Sequence, residues 1–158
     1  MIDSDLRKLL IAQIGHELSA HQTYLGIALY FERQSLKRWG KLFREQSIEE
    51  AQHAQKIMDF LTDIGVDFDL PALKSASTKY ASAHAACERA LRSERDVTVQ
   101  FEHMAAVASA AHDHRGLQFL QWFIEEQVEE EAKMQALIDL IDSGVNLFQA
   151  EALLDAFE

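Results

Sequence analysis

The sequence predicts an all-α protein built around four long helices. Residues that favour helices, such as Ala, Leu, Glu and Gln, are abundant, and only one Pro and six Gly interrupt the 158 residues. Apolar residues recur at helical spacing over four stretches of roughly 28 residues each. A chain of this length is the size of one domain, so we expect residues 1–158 to form a single domain around one core.

Breaks in the apolar pattern give the expected helix boundaries. Ser35 is a candidate N-cap for the second helix, and Gly65 is a suitable residue to end it. The polar turn "HDHRG" separates the third helix from the fourth. The four helices are expected over about residues 5–33, 37–64, 81–111 and 115–142, which together make a bundle over about residues 5–142.

The lengths of the connections predict the topology. The first and third connections are short, so each should join two antiparallel neighbours. The middle connection, "VDFDLPALKSASTKY", can stretch roughly 50 Å, which is enough to run the full length of a helix. The expected fold is a four-helix bundle with one long crossover between the second and third helices. Asn146 is a suitable cap for a short fifth helix over about residues 146–157.

Charge and cysteine content restrict the possible partners. A net charge of −11 with no basic stripe argues against a nucleic-acid partner. The acidic start of the chain is unlike a signal peptide, and no apolar run approaches the roughly 20 residues that span a bilayer. Cys87 is the only cysteine and fits a reducing compartment, so we expect a cytoplasmic protein with no membrane partner. Cations are natural ligands, although the acidity could simply confer solubility.

Each of the four predicted helices has a row of apolar residues along its core-facing side, called its apolar seam here. Polar residues interrupt each of these seams near its middle. A carboxylate left alone in a core costs several kcal/mol, and four at one level would repel each other. No Lys or Arg falls in these seams at that depth, so two divalent cations would balance the charge. Carboxylate oxygens together with the imidazole of His53 suit iron or manganese better than a metal that prefers thiolates. The four carboxylates are Glu17, Glu50, Glu94 and Glu130.

The two halves of the chain repeat this pattern at an offset of 77 residues. Glu17 precedes Glu50 by 33 residues, and Glu94 precedes Gln127 by the same number. The three-residue step from Glu50 to His53 recurs after Gln127 in the fourth helix. Such a repeat is typical of a duplicated helix hairpin whose two copies face each other across a pair of metals. The competing interpretation is a set of solvated glutamates around a hydrogen-bonded core histidine.

Four segments together resemble the helices of prokaryotic non-haem ferritins over nearly the whole chain: "IGHELSAHQTY", "SIEEAQHAQKIMDFL", "ERDVTVQ" and "LQFLQWFIEEQVEEEAKM". The resemblance implies the ferritin-like fold and a di-iron centre in each subunit. In that centre, Glu17, Glu50 and His53 would hold the first iron. Glu50 would bridge to a second iron, which Glu94 and Glu130 would also hold.

The same resemblance assigns residues around the two irons. Gln127 would line the second site, Tyr24 would be a neighbouring redox-active or hydrogen-bonding tyrosine, and Trp122 would lie close by. Three further glutamates match a third iron site of bacterial ferritins, although such an acidic run would also suit a solvated helix face. These three are Glu49, Glu126 and Glu129.

The resemblance implies an iron-storage ferritin with ferroxidase activity. Such a protein binds Fe(II), oxidises it with dioxygen or peroxide, and keeps Fe(III) as a mineral inside a shell of twenty-four subunits. No haem is expected, because Gln52 stands where haem-binding bacterioferritins carry a methionine. Two alternatives remain open: a di-iron oxidase, oxygenase or peroxidase that acts on another substrate without storage, and a helical interaction module without metal.

Overall fold

The computed structural model describes residues 2–157, which form helices joined by short turns and one long extended connection. No β-strand occurs in this range, so the all-α prediction is confirmed, with the long crossover and a short final helix. The helices are α1 (Ser4–Arg33), α2 (Lys37–Asp63), α3 (Ala83–Ala110), α4 (His114–Asp142) and α5 (Leu147–Ala150), the last continuing as a 3-10 helix (Glu151–Phe157).

Short polar side chains cap four of the helix starts. Asp3 accepts hydrogen bonds from the first turn of α1, and Ser82 caps α3. Asp113 caps α4 by accepting from the Gly116 amide at 2.8 Å, and it also accepts from the Asp3 amide at 2.8 Å. Asn146 caps α5 as predicted. Because free N–H groups at a helix start need acceptors, these residues determine where the helices begin.

The predicted N-cap at Ser35 is wrong. Ser35 lies at φ 63°, in the left-handed region, and it ends α1 instead of starting α2. Its amide bonds to the Glu32 carbonyl and the next amide, of Leu36, bonds to the Phe31 carbonyl, each at 3.0 Å. This is the Schellman arrangement, in which the residue after the helix turns left-handed. Gly65 occupies the equivalent position after α2, at φ 75°, as the prediction required.

Two apolar clusters fill the two ends of the bundle. In one, the Phe31 ring stacks between Trp39 and Phe43, with centroids 5.2 and 5.5 Å away. In the other, Phe101 stacks on Phe123 at 4.6 Å. The α1–α2 and α3–α4 hairpins pack together mainly through α1 and α3. The two clusters therefore leave a layer between them, at mid-bundle, where the polar residues of all four helices meet.

The crossover lies along α1 and runs in the same direction. Pro71 packs against Gly15, and further along the Ser77 carbonyl packs against Gly26. A Cβ at Gly26 would overlap that carbonyl oxygen, so only glycine permits this approach. The crossover thus returns the chain to the end of the bundle where α3 must begin. Among the described helices, none is both long and apolar enough to cross a membrane.

Candidate metal centre

The middle layer of the bundle contains four carboxylate side chains and one imidazole that are nearly inaccessible to solvent. Glu17 comes from α1, Glu50 and His53 from α2, Glu94 from α3 and Glu130 from α4, and each is at most 5% exposed. Glu50 and His53 are three residues apart, which places them on the same face of α2. All four long helices therefore contribute to one buried polar cluster.

These side chains form two groups with the spacing of metal ligands. Glu17, Glu50 and His53 each offer an atom within 4.8 Å of the others, and Glu50, Glu94 and Glu130 do the same. Glu50 belongs to both groups, so the two potential sites adjoin and share a carboxylate. The structure thus brings together the residues that the sequence predicted for a pair of metals. Their actual occupation by iron stays a prediction.

Two ligand atoms in the first group are buried without a hydrogen-bond partner, the Glu17 Oε2 and the His53 Nδ1. The Nδ1 lies 3.3 Å from Glu50 Oε2 and 3.8 Å from Glu17 Oε2, while Glu17 Oε1 accepts from Gln13 Nε2 at 3.2 Å. An unpaired buried polar atom costs about 1–3 kcal/mol. A cation among these atoms would satisfy both, so the donor set fits a divalent metal.

Hydrogen bonds orient the carboxylate of Glu94 in the second group. The Tyr24 hydroxyl donates to Glu94 Oε1, and Gln127 Nε2 donates to Glu94 Oε2 at 3.0 Å. Burial, and then the charge of Glu94, raise the pKa of Tyr24 well above its usual value, so this hydroxyl keeps its proton. Gln127, which the resemblance placed at the second site, and Tyr24, which it placed near the pair of irons, thus both contact a proposed ligand of the second metal.

Two further residues at the second group have roles that the sequence analysis missed. Gln46 Nε2 donates to Glu50 Oε1 at 2.9 Å and to Glu130 Oε2 at 2.7 Å. The Gln46 Oε1 accepts from Lys133 Nζ at 2.9 Å. Lys133 lies outside the apolar seam of α4, but its flexible side chain reaches back into the layer. Its position three residues after Glu130, on the same helix face, was the available signal.

A cavity adjoins this layer and is called the glutamate cavity here. The three glutamates proposed for a third iron line it, together with Glu130 and Lys133. Among the described residues, only the two buried groups bring three ligand atoms as close together as 4.8 Å. The three acids therefore share a cavity without forming an equally compact ligand set. They are Glu49, Glu126 and Glu129.

A second opening leads to His53. Trp122 stands at this opening with its ring edge-on to the His53 ring, the centroids 5.5 Å apart, which matches the predicted aromatic neighbour. Lys56 Nζ lies 3.9 Å from the centroid of the Trp122 ring. Glu49 and Glu126 line this opening as well as the glutamate cavity. Solvent can thus approach the first group from the side that these two acids border.

Burial keeps protons in the metal-free cluster. It raises the pKa of Glu50 to about 7, of Glu94 to about 8 and of Glu130 to about 9, and charges of neighbouring carboxylates add to each effect. Burial opposes the charged form of His53, but the carboxylates of Glu17 and Glu50 outweigh it and raise its pKa to about 11. At neutral pH the cluster therefore holds protons, which balance carboxylate charge that bound cations would otherwise neutralise.

Comparison with known proteins agrees with this arrangement. Residues 7–143 match the Ferritin family, described as a ferritin-like domain. Ferritin BfrB of Mycolicibacterium smegmatis is 37% identical over 151 residues, covering 95% of this chain and 83% of the relative. A bacterial non-heme ferritin of Staphylococcus haemolyticus is 30% identical over 142 residues, covering 90% and 86%.

Solved structures show the same similarity. An open-pore ferritin from the archaeon Archaeoglobus fulgidus superimposes with a TM-score of 0.93 at 29% identity, covering 98% of this chain and 97% of that one. A humanized archaeal ferritin superimposes with a TM-score of 0.92 at 30% identity, covering 99% and 96%. With a ferritin fold and two adjoining ligand groups at mid-bundle, this chain belongs to the ferritin family.

Proposed function

We propose that this chain is a cytoplasmic iron-storage protein that binds Fe(II) in its bundle and oxidises it with dioxygen or peroxide. The Fe(III) is then stored as a mineral inside a shell of twenty-four identical subunits. Family membership supports iron binding, storage and self-association. The observation that carries the oxidation step is the pair of buried ligand groups that share Glu50.

Sharing Glu50 keeps the two ferrous ions adjacent. Each group supplies three protein ligand atoms, which leaves coordination positions for water and oxidant on both ions. Two neighbouring ferrous ions can each give one electron to the same oxidant, so that dioxygen takes up two electrons and two protons to become hydrogen peroxide. Glu17 and His53 each have a buried atom without a hydrogen bond in the first group, and an ion bound there would give both atoms a partner.

Residues that contact the second group position its ligands. Tyr24 and Gln127 hold the two oxygens of Glu94 in a fixed orientation, as their hydrogen bonds indicate. In this proposal, the acids of the glutamate cavity receive iron from the second site on its way to the mineral. Their position supports this role, because Glu130 borders both the second site and that cavity.

Aerobic iron loading tests the proposal. The protein is given excess Fe(II), and size-exclusion chromatography with light scattering then measures particle mass and iron atoms per chain. We expect a very large particle that holds many irons per chain. A small species that stops at two or three irons per chain would instead support a di-iron oxidase or peroxidase for another substrate.

Two matched variants distinguish the contribution of the buried centre to iron oxidation from that of the overall acidity of the chain. Glu50→Gln should abolish rapid oxidation, because both groups lose their shared ligand. Glu102→Gln removes one carboxylate from an exposed position on α3 and should oxidise iron at the wild-type rate. Equal rates in the two variants would remove the assignment of the buried groups as the oxidation centre.

A further inference from the structure

Lys133 is the lysine that enters the carboxylate layer. It is half-buried, and its Nζ donates to the Gln46 Oε1 at 2.9 Å. Within residues 2–157, its ammonium forms no ion pair with a carboxylate. The side-chain amide of Gln46 therefore holds this ammonium next to several acids, and no single one of them neutralises it.

The position of Lys133 links the buried cluster to the glutamate cavity. Gln46 accepts from Lys133 on one side and donates to Glu50 and Glu130 on the other. Lys133 also lines the glutamate cavity with Glu129 and the other acids. Its positive charge opposes the rise in the pKa of Glu130. A single ammonium group thus acts on both the second ligand group and the cavity beside it.

We propose that Lys133 is a tethered cation, meaning an ammonium group that Gln46 holds between the second ligand group and the glutamate cavity. In this position it competes with a metal ion in that cavity. A divalent ion among these acids would stand close to the ammonium, and the two positive charges would repel. Binding of that ion therefore displaces Lys133 from Gln46. The inference rests on the proposed function, because it takes both the two buried groups and the acids of the glutamate cavity to bind metal ions.

The expected effect follows from charge alone. A unit charge and a divalent ion about 5 Å apart in a water-like medium repel enough to weaken binding about tenfold. Replacing Lys133 by an uncharged residue should therefore strengthen binding of the third metal by about this factor. Binding in the first group should change less, because Gln46, the hydrogen-bond partner of Lys133, donates to only one member of that group, Glu50.

Titration with Zn²⁺, which is not oxidised, tests this inference by calorimetry on the assembled protein. Lys133→Met and Lys133→Gln both remove the charge, and the glutamine side chain can still donate to Gln46. We expect both variants to bind a third Zn²⁺ per chain about tenfold more tightly than wild type. Lys8→Met, which removes an exposed charge at the start of α1, should bind like wild type. Adding Glu129→Gln to Lys133→Met should weaken the third ion again and so assign it to the glutamate cavity.

The outcomes distinguish this inference from the proposed function. If the two tightest Zn²⁺ ions bind normally but the third is unaffected by Lys133→Met and Lys133→Gln, the tethered-cation role is overturned. It is also overturned if only the methionine variant binds more tightly, because orientation of Gln46 would then explain the effect. If wild type binds no Zn²⁺ in the buried groups, the proposed function fails, and the inference that rests on it fails too.

Discussion

Metal binding in the buried cluster should release several protons from each chain. Metal ligands must be deprotonated, because the ion takes the lone pair that the proton held. In the metal-free chain the pKa values of Glu50, Glu94 and Glu130 are raised to about 7, 8 and 9, and that of His53 to about 11. Near neutral pH most of these groups are protonated, so two metal ions must displace their protons.

The number of released protons should depend on pH in a defined way. From these four pKa values, binding should release between three and four protons per chain at pH 6.5, and about two at pH 8.5. The count falls because Glu50 and then Glu94 lose their protons before the metal arrives. In an exposed carboxylate cluster with ordinary pKa values, almost no carboxyl protons would be released at either pH.

Calorimetric titration with Zn²⁺ in two buffers of different ionisation enthalpy measures this count. The difference in observed heat between the buffers, divided by the difference in their ionisation enthalpies, equals the protons released. Glu130→Gln should release about one proton fewer at pH 6.5, because that carboxyl is protonated there. Glu102→Gln serves as the exposed control. A count near zero, or one that does not fall between pH 6.5 and 8.5, would refute the buried, proton-holding cluster.

Three further predictions concern stability and oxidation. In the folded chain, the carboxyls of the cluster keep protons that the unfolded chain releases above about pH 4.5. The contribution of these carboxyls to stability is therefore complete below that pH and is lost as the pH rises through 7 to 9. Urea denaturation of metal-free protein should therefore show a lower unfolding free energy at pH 8.5 than at pH 6.5, by about 1.4 kcal/mol per pH unit for each retained proton. A higher unfolding free energy at pH 8.5 would contradict the pKa values. Gly26→Ala should lower the unfolding free energy by about 1–3 kcal/mol, because its Cβ meets the Ser77 carbonyl, and an unchanged thermal midpoint would show that the crossover can move away. Tyr24→Phe removes the hydroxyl bonded to Glu94, so stopped-flow absorbance should show slower Fe(II) oxidation while calorimetry still counts two tightly bound Zn²⁺ ions; an unchanged rate would remove this role.

Helix ends show where local sequence is sufficient and where it is not. Gly65 could be predicted to end α2, because glycine adopts positive φ without a steric penalty. Ser35 adopts the same kind of conformation after α1, yet serine is more typical of an N-cap. The difference follows from Leu36, which is only 4% exposed. Burying that side chain favours the left-handed turn, and this gain depends on core contacts that the local sequence does not contain.

The buried ligands were predictable because their spacing repeats. Glu50 and His53 share a helix face by their three-residue step, and the offset of 77 residues pairs the two hairpins. For Lys133 the sequence indicated only that it shares a helix face with Glu130, and because it lies outside the apolar seam of α4, its entry into the layer was not predicted. Its side chain has several rotatable bonds, and only the surrounding acids and the Gln46 oxygen select the conformation that reaches inward.

The sequence by itself determined the helices, their connectivity and the carboxylates and histidine of the two ligand groups, because these follow from helical period and from spacing along the chain. Tertiary structure alone decided which atoms face one another: Tyr24 and Gln127 on Glu94, Gln46 between two carboxylates, and two orphaned atoms at the first group. It also decided the protonation of the cluster. Those properties depend on distances and burial across all four helices, and both are created only when the helices pack.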